Sequence, residues 1–214
     1  MTMTDFDTLI DRLATDAVPV RRQSTQSGRL LLAAVATVTM AAVFATYGFR
    51  GDIIGGSPSP IVGLAAGLML ILAVAAGAGA VRMARPQVGA ASSGAPWALA
   101  ALLLLPALAL AGIAARPELS SGLAADNGLR CLTFGIVAGM ASLAFLTMWL
   151  RRGAPVAPQR AAWLAGLASG AIGALAVTLE CPRDELAHLG VWHVAVVLVV
   201  GSGAGLLLPR LLRW

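Results

Sequence analysis

Two cysteines and two histidines are the residues of this chain best suited to chemistry. Cys131 opens the fourth of six long apolar runs, and Cys181 follows the fifth. His188 precedes the sixth run, and His193 lies near its start. Thiolate and imidazole ligands together suit a soft or borderline metal ion, and two neighbouring thiols can form a disulfide. Further potential ligands flank the second cysteine: Glu180, Asp184 and Glu185.

The two cysteines are predicted to be neighbours, because the fourth and fifth runs form one antiparallel hairpin. Three interpretations stay open from the residues alone: two buried, inert thiols; a structural or redox-active disulfide, which an outer compartment permits; or a metal-responsive site. Neither cysteine belongs to a C-x-x-C motif, which excludes a structural zinc site built on cysteine pairs. His188 and His193 are interfacial side chains in the plainer interpretation and metal ligands in the other. No resident metal or cofactor is expected.

The apolar runs themselves carry little chemistry, since none contains a charged residue. Ion-coupled transporters and proton pumps normally place such groups in the membrane despite the cost. An intramembrane serine protease would need a G-x-S-x motif in the fourth run, but Ser142 stands in GMASLAF, and His193 lies near the end of its run. The protein is therefore not expected to be an enzyme.

Composition places the chain in the membrane class. Of its 214 residues, 58% are hydrophobic and 12% are charged, about half the charge of a soluble domain. The net charge of +5 comes from fifteen arginines, without any lysine, set against ten acidic residues. These arginines lie in short clusters between the apolar runs, as in membrane proteins, so direct nucleic-acid binding is not expected.

The lengths of the apolar runs predict six transmembrane helices. Each has 17 to 21 residues, enough to cross a bilayer core of about 30 Å. Eleven arginines fall on the side of the N-terminus and four on the other, so the positive-inside rule places both termini in the cytoplasm. Domain boundaries follow: a cytoplasmic arm over 1–29 and a transmembrane domain over 30–214. The six runs are Leu30–Phe49, Ile61–Val81, Trp97–Ala115, Cys131–Leu150, Trp163–Leu179 and Val191–Pro209.

Glycines spaced four residues apart predict close helix contacts in four of the runs. The pairs are Gly63/Gly67, Gly135/Gly139, Gly166/Gly170 and Gly201/Gly205. Together they favour a compact all-α bundle.

The polar arm contains one amphipathic segment. Its apolar residues recur at helical spacing and form a stripe: Phe6, Leu9, Ile10 and Leu13. Docking of this stripe in a groove of a partner protein is one interpretation, and attachment to the membrane surface is the other. Four acidic residues against one arginine over positions 4–16 disfavour an anionic membrane and suit a basic cytosolic protein.

Four short motifs, taken in order, resemble the NrsF-type family of six-helix anti-sigma factors from proteobacterial inner membranes. They are DTLIDRLATDAVPVRR in the arm, LRRGAP after the fourth run, Leu-Glu-Cys-Pro after the fifth, and the terminal RLLRW. The resemblance covers nearly the whole chain, including the number of helices and their topology.

The resemblance implies a regulator whose cytoplasmic arm holds an extracytoplasmic-function sigma factor. The arm from Asp5 to Arg22 would be the sigma-binding segment, so the partner-binding candidates are Phe6, Leu9, Ile10, Leu13, Asp16 and Arg21. Cys131 and Cys181 would match the paired cysteines that the family associates with sensing of oxidative or metal stress. The alternative function is a small-molecule transporter or permease subunit, which would need a polar path through the bundle.

Overall fold

A computed structural model describes residues 3–16, 23–86 and 94–212, without the side chains of residues 3–5 and 125–127. Regular structure in the described residues is entirely helical, which confirms the predicted all-α class. A π-helical turn, Leu189–His193, joins α8 to α9, and a 3-10 helix, Pro117–Leu123, precedes α6. The α-helices are α1 (Met3–Thr15), α2 (Thr25–Tyr47), α3 (Gly51–Ile54), α4 (Pro60–Met83), α5 (Ala95–Ala115), α6 (Ala125–Arg151), α7 (Pro158–Glu180), α8 (Leu186–His188) and α9 (Val194–Leu211).

Six helical segments are long and apolar enough to cross a membrane, as the six apolar runs predicted. They are α2, α4, α5, the Gly128–Arg151 part of α6, α7, and the continuous Leu186–Leu211 segment. The first begins at Thr25, five residues before the predicted Leu30. Ser24 caps it by accepting a hydrogen bond from the Ser27 backbone N–H. The helix therefore begins in polar residues, which lie outside the apolar run used for the prediction.

Helix α7 forms the centre of the bundle. It packs against α4, α6 and α9, and most of its residues are buried. Small side chains allow this position: a Cβ atom added at Gly173 would lie 2.0 Å from the backbone oxygen of Gly135 on α6. A Cβ at Gly170 would lie 2.8 Å from the Cα of Val197 on α9. Backbone contacts at this distance require glycine.

Three of the four predicted glycine pairs lie at helix contacts, but the prediction for Gly63/Gly67 is wrong. Neither of these residues has a neighbour within 4 Å of a built Cβ atom. Their helix, α4, instead packs through the buried stripe that includes Met69, Leu72 and Ala76. Glycine spacing marks a face on which helices can approach, whereas larger apolar residues decided the packing of α4.

The connections between helices meet at two ends of the bundle. At one end, the Ala154 N–H donates to the Ala84 oxygen (2.9 Å), and Arg85 donates to the Gln23 oxygen (3.0 Å). The opposite end of the bundle contains Cys131 and Cys181, and three segments come together there: residues 48–59, 116–124 and 181–193. We call the second the cysteine end. The 186–193 segment is seated there against α5, since a Cβ at Gly190 would lie 2.8 Å from the Leu105 oxygen.

Candidate cysteine–histidine site

Four side chains from α6, the end of α7, α8 and the π-helical turn converge at the cysteine end. Cys131 lies in the second turn of α6, Cys181 directly follows α7, and His188 and His193 end α8 and the π-helical turn. All four are buried, with at most 4% of each residue exposed. Their potential ligand atoms all lie within 4.8 Å of one another. Folding thus brings together residues that are up to 62 positions apart in the chain.

The two thiols are neighbours, as the hairpin predicted. Their Sγ atoms are 3.5 Å apart, longer than the roughly 2.05 Å of a disulfide, so both cysteines are free. The Cys131 thiol donates to the Cys181 sulfur, and this hydrogen bond lowers the pKa of Cys181. A low pKa favours the thiolate, which is the form that attacks oxidants and binds metals.

The two imidazoles share one face because of the π-helical turn. Five residues on an α-helix, at about 100° each, would place their side chains about 140° apart. A π-turn closes at i→i+5, and the rings of His188 and His193 accordingly lie edge to face with centroids 5.2 Å apart. His188 Nε2 reaches to 3.6 Å from the Cys181 sulfur. The π-turn was not predicted, because hydropathy gives no register signal for it.

His193 is held from α7 by a buried threonine. The Nδ1 atom of His193 lies 2.8 Å from Thr178 Oγ1. Thr178 in turn donates to the Ala174 backbone oxygen at 2.7 Å. On the other side of the ring, His193 Nε2 is buried without a hydrogen-bond partner. A lone threonine in an apolar run is usually back-bonded to its own helix, so the sequence gives no signal that Thr178 contacts a histidine.

A buried arginine fixes the segment that carries Cys181. Arg50, 5% exposed, donates from Nη1 to the backbone oxygens of Cys181 and of Arg183, the latter at 2.8 Å. Its Nε and Nη2 atoms each donate to Asp52 at 2.9 Å. This paired contact lowers the pKa of the Asp52 carboxyl to about 2. In the sequence, Arg50 enters only the count of loop arginines, although its R-x-D spacing from Asp52 could have indicated an ion pair.

Arg130 and Phe134 cover the cysteines on the α2 side. Arg130 pairs with Glu180 at 3.0 Å across the mouth of the α6–α7 hairpin. Its guanidinium also lies 5.3 Å from the centre of the Phe134 ring. Phe134 packs on the cysteine pair and meets Tyr47, at the end of α2, edge to face at 4.6 Å.

The partner-binding candidates do not belong to this site. The stripe Phe6, Leu9, Ile10 and Leu13 is exposed along α1, each residue by 44 to 64%. Asp16 is also exposed just past the end of α1, and Arg21 lies outside the described residues.

These features define a helical membrane protein that carries a buried cysteine–histidine cluster at one end and an exposed apolar stripe on its N-terminal helix. Residues 13–214 match the family model NrsF, negative regulator of sigma F. The chain therefore belongs to this family, and it is a negative regulator of a sigma factor. A search of the curated proteins and one of the solved structures found no match. The matched stretch begins at Leu13, so most of α1 precedes it.

Proposed function

We propose that the protein is an anti-sigma factor of the bacterial inner membrane that sequesters an extracytoplasmic-function sigma factor through residues 1–29. Release would follow oxidative or metal stress sensed at Cys131 and Cys181. The family match carries the proposal, and the exposed stripe of α1 and the two neighbouring thiols support it. With both termini in the cytoplasm, as the arginine distribution indicates, the arm meets the sigma factor and the cysteines face outward.

The exposed stripe of α1 supports the partner-binding role. Four large apolar side chains on one helix face, exposed beside acidic residues, suit insertion into an apolar groove of a basic protein. A sigma factor binds DNA, and DNA-binding proteins present basic surfaces. Phe6, Leu9, Ile10 and Leu13 would supply the apolar contacts, with Asp16 and Arg21 as flanking charges.

The short distance between the two sulfurs supports the sensor role. Oxidation to a disulfide would remove two protons and two electrons from the thiols, transfer the electrons to an external oxidant, and draw the sulfurs together from 3.5 Å. Because Cys131 belongs to α6 and Cys181 is clamped to the α2–α3 connection by Arg50, this movement would shift α6 relative to α2. Helix α2 leads directly back to the arm.

The transporter alternative gains no support from the packing. Among the described residues, Arg50 is the one buried charged side chain, and it lies at the cysteine end rather than along a path through the bundle. The centre of the bundle is filled by α7, whose buried residues are mostly alanine and glycine.

A substitution in the stripe tests the proposal. Leu13→Asp would place a carboxylate in the apolar contact, which is strongly unfavourable, so the sigma factor should no longer copurify with the full-length protein from membranes. Thr8→Asp is the matched control: it adds the same charge about 150° away from the stripe and should retain the partner. Equal retention by both variants would show that the stripe is not the contact surface.

A further inference from the structure

We propose that Cys131, Cys181, His188 and His193 form a tetrahedral site for one thiophilic divalent cation of the Zn²⁺ class, Zn²⁺ or Cd²⁺. Binding by these four residues rests on the geometry of the cysteine end. Only its consequence for sigma release rests on the proposed function. The site is then a four-ligand centre in which both histidines take part, rather than a pair of cysteines alone.

The spacing of the ligand atoms matches a tetrahedron around such an ion. Bond lengths of about 2.3 Å to sulfur and 2.0–2.1 Å to nitrogen give tetrahedral edges of about 3.3 to 3.8 Å. The Cys131–Cys181 edge is 3.5 Å, and the Cys181–His188 edge is 3.6 Å. The remaining edges are no longer than 4.8 Å, so closure needs side-chain movements of about 1 Å.

Hydrogen bonding sets His193 in the tautomer that a metal requires. Thr178 has one hydroxyl proton, and the 2.7 Å distance to the Ala174 oxygen requires that proton, because a carbonyl cannot donate. The hydroxyl must therefore accept from His193 Nδ1 at 2.8 Å, which leaves the proton on Nδ1 and the lone pair on Nε2. That lone pair is buried and has no partner. An unsatisfied buried acceptor is costly, and a cation would satisfy it.

Thr178 is then placed to orient a metal ligand, His193, rather than to bind the metal itself. Metal-bound histidines usually donate their other N–H to a neighbouring oxygen, which fixes the ring and its tautomer. Here α7 supplies that oxygen, and Arg50 fixes the Cys181 backbone through its carbonyl. Two of the four ligands are thus oriented by contacts from outside the cluster.

Charge balance also favours a divalent ion. Binding would release both thiol protons and join a dication to two thiolates and two neutral imidazoles, giving a centre of zero net charge. A neutral centre avoids the large penalty for burying an unbalanced charge. The neighbouring Arg50 is already balanced by Asp52 at 2.9 Å and does not need the thiolates.

Occupancy and disulfide formation would exclude each other, because each uses both sulfur atoms. Bound Zn²⁺ would therefore protect the pair from oxidation, and an oxidant would reach the thiols only after the ion leaves. Metal and oxidant would act on one centre rather than on two separate sensors.

Metal titration of the purified, full-length protein under a thiol-free reductant tests the site. Elemental analysis should give one tightly bound Zn²⁺ per chain, and Co²⁺ should give the visible absorption of a tetrahedral thiolate-bound centre. His193→Ala and Cys181→Ser should lose this binding. Thr178→Val should weaken it about 10- to 100-fold. Ser169→Ala, which alters another buried hydroxyl on α7 about 13 Å away along the helix, should leave it unchanged.

Two results would overturn the site. One is folded, reduced wild-type protein that binds neither Zn²⁺ nor Co²⁺. The other is His193→Ala binding with wild-type affinity and spectrum, which would mean that the thiols act without that histidine. Sigma-factor retention, measured on the same preparations, separates this proposal from the proposed function. If the protein binds no metal but still releases the sigma factor in a cysteine-dependent way, the metal site is refuted and the anti-sigma mechanism stands. If it binds metal but never retains the sigma factor, only the anti-sigma mechanism is refuted.

Discussion

At the scale of single residues, Arg50 and Asp52 determine where Cys181 lies. The Arg50 guanidinium satisfies two backbone oxygens that follow α7, and Asp52 balances its charge. Asp52 also accepts hydrogen bonds from the backbone of Ile53 and Ser59, which folds the α2–α4 connection around it. One ion pair therefore joins two loops of the cysteine end.

The pH dependence of stability should reveal this pair. The Asp52 pKa falls from 3.8 to about 2 on folding, so its contribution is present above the unfolded value and is lost as the pH falls from about 4 to 2. Asp52→Asn should lower the thermal midpoint in detergent at pH 6, and the difference from wild type should vanish near pH 2.

The control for Asp52→Asn is the same substitution in an Arg50→Met background. Without the guanidinium there is no pair to break, so Asp52→Asn should then keep only the smaller effect of the loop hydrogen bonds from Ile53 and Ser59. A difference between wild type and Asp52→Asn that is constant from pH 6 to 2 would assign the effect to the loop hydrogen bonds of Asp52.

At the scale of helices, the α6–α7 contact sets the distance between the two sulfurs. Gly135 and Gly139 on α6 face Ser169 to Gly173 on α7, with backbone against backbone. Cys131 lies one turn before Gly135, and Cys181 lies two turns after Gly173. The distance between α6 and α7 at these glycines therefore sets the distance between the two sulfurs.

Gly173→Ala should separate the cysteines. Its Cβ atom would lie 2.0 Å from the Gly135 oxygen, and a clash with backbone can be relieved only by moving a helix, at a cost of about 1–3 kcal/mol. Disulfide formation between Cys131 and Cys181 under a fixed oxidant should slow by about tenfold. Gly67→Ala, where a Cβ meets nothing within 4 Å, is the control. Equal oxidation rates in the two variants would show that the thiol distance does not depend on this contact.

Helix α2 is the element that connects the two ends. Tyr47 touches Phe134 beside the cysteines, and Arg50 follows shortly after the helix. At the opposite end, Gly28 packs against Trp149 and Val81. Most of α2 between these contacts is exposed in the bundle, so it is bound to its neighbours less firmly than α7 and can change position at lower cost.

For the protein as a whole, the sequence predicts the number of spans and the neighbouring thiols, but not the side-chain contacts that orient them. Length and hydropathy predicted the six spans, since a bilayer imposes one length on every spanning helix. The hairpin of α6 and α7 predicted adjacent thiols, because two antiparallel spans return to the same depth. The contacts of Thr178 and the π-turn could not be predicted, since each depends on which residues face one another across helices. Hydropathy carries no information about that register. The R-x-D spacing could indicate the Arg50–Asp52 pair, but not its contact with the Cys181 backbone.

The final prediction links the two ends of the molecule by thermodynamic reciprocity. If oxidation of the cysteine pair weakens sigma-factor binding by some factor, bound sigma factor must disfavour oxidation by the same factor. A tenfold effect corresponds to about 1.4 kcal/mol, which for this two-electron couple is about 30 mV. The reduction potential of the Cys131–Cys181 pair, measured by redox titration of the full-length protein, should therefore be about 30 mV higher with the sigma factor bound.

The Leu13→Asp variant supplies the control for this measurement, because it should abolish binding without touching the cysteine end. Its reduction potential should equal that of the free protein whether or not sigma factor is added. If the reduction potential of the wild type does not change at saturating sigma factor, the thiols and the arm are not coupled. Release would then require something other than a change of packing in the bundle, since a ligand shifts an equilibrium only through unequal affinity for its two states.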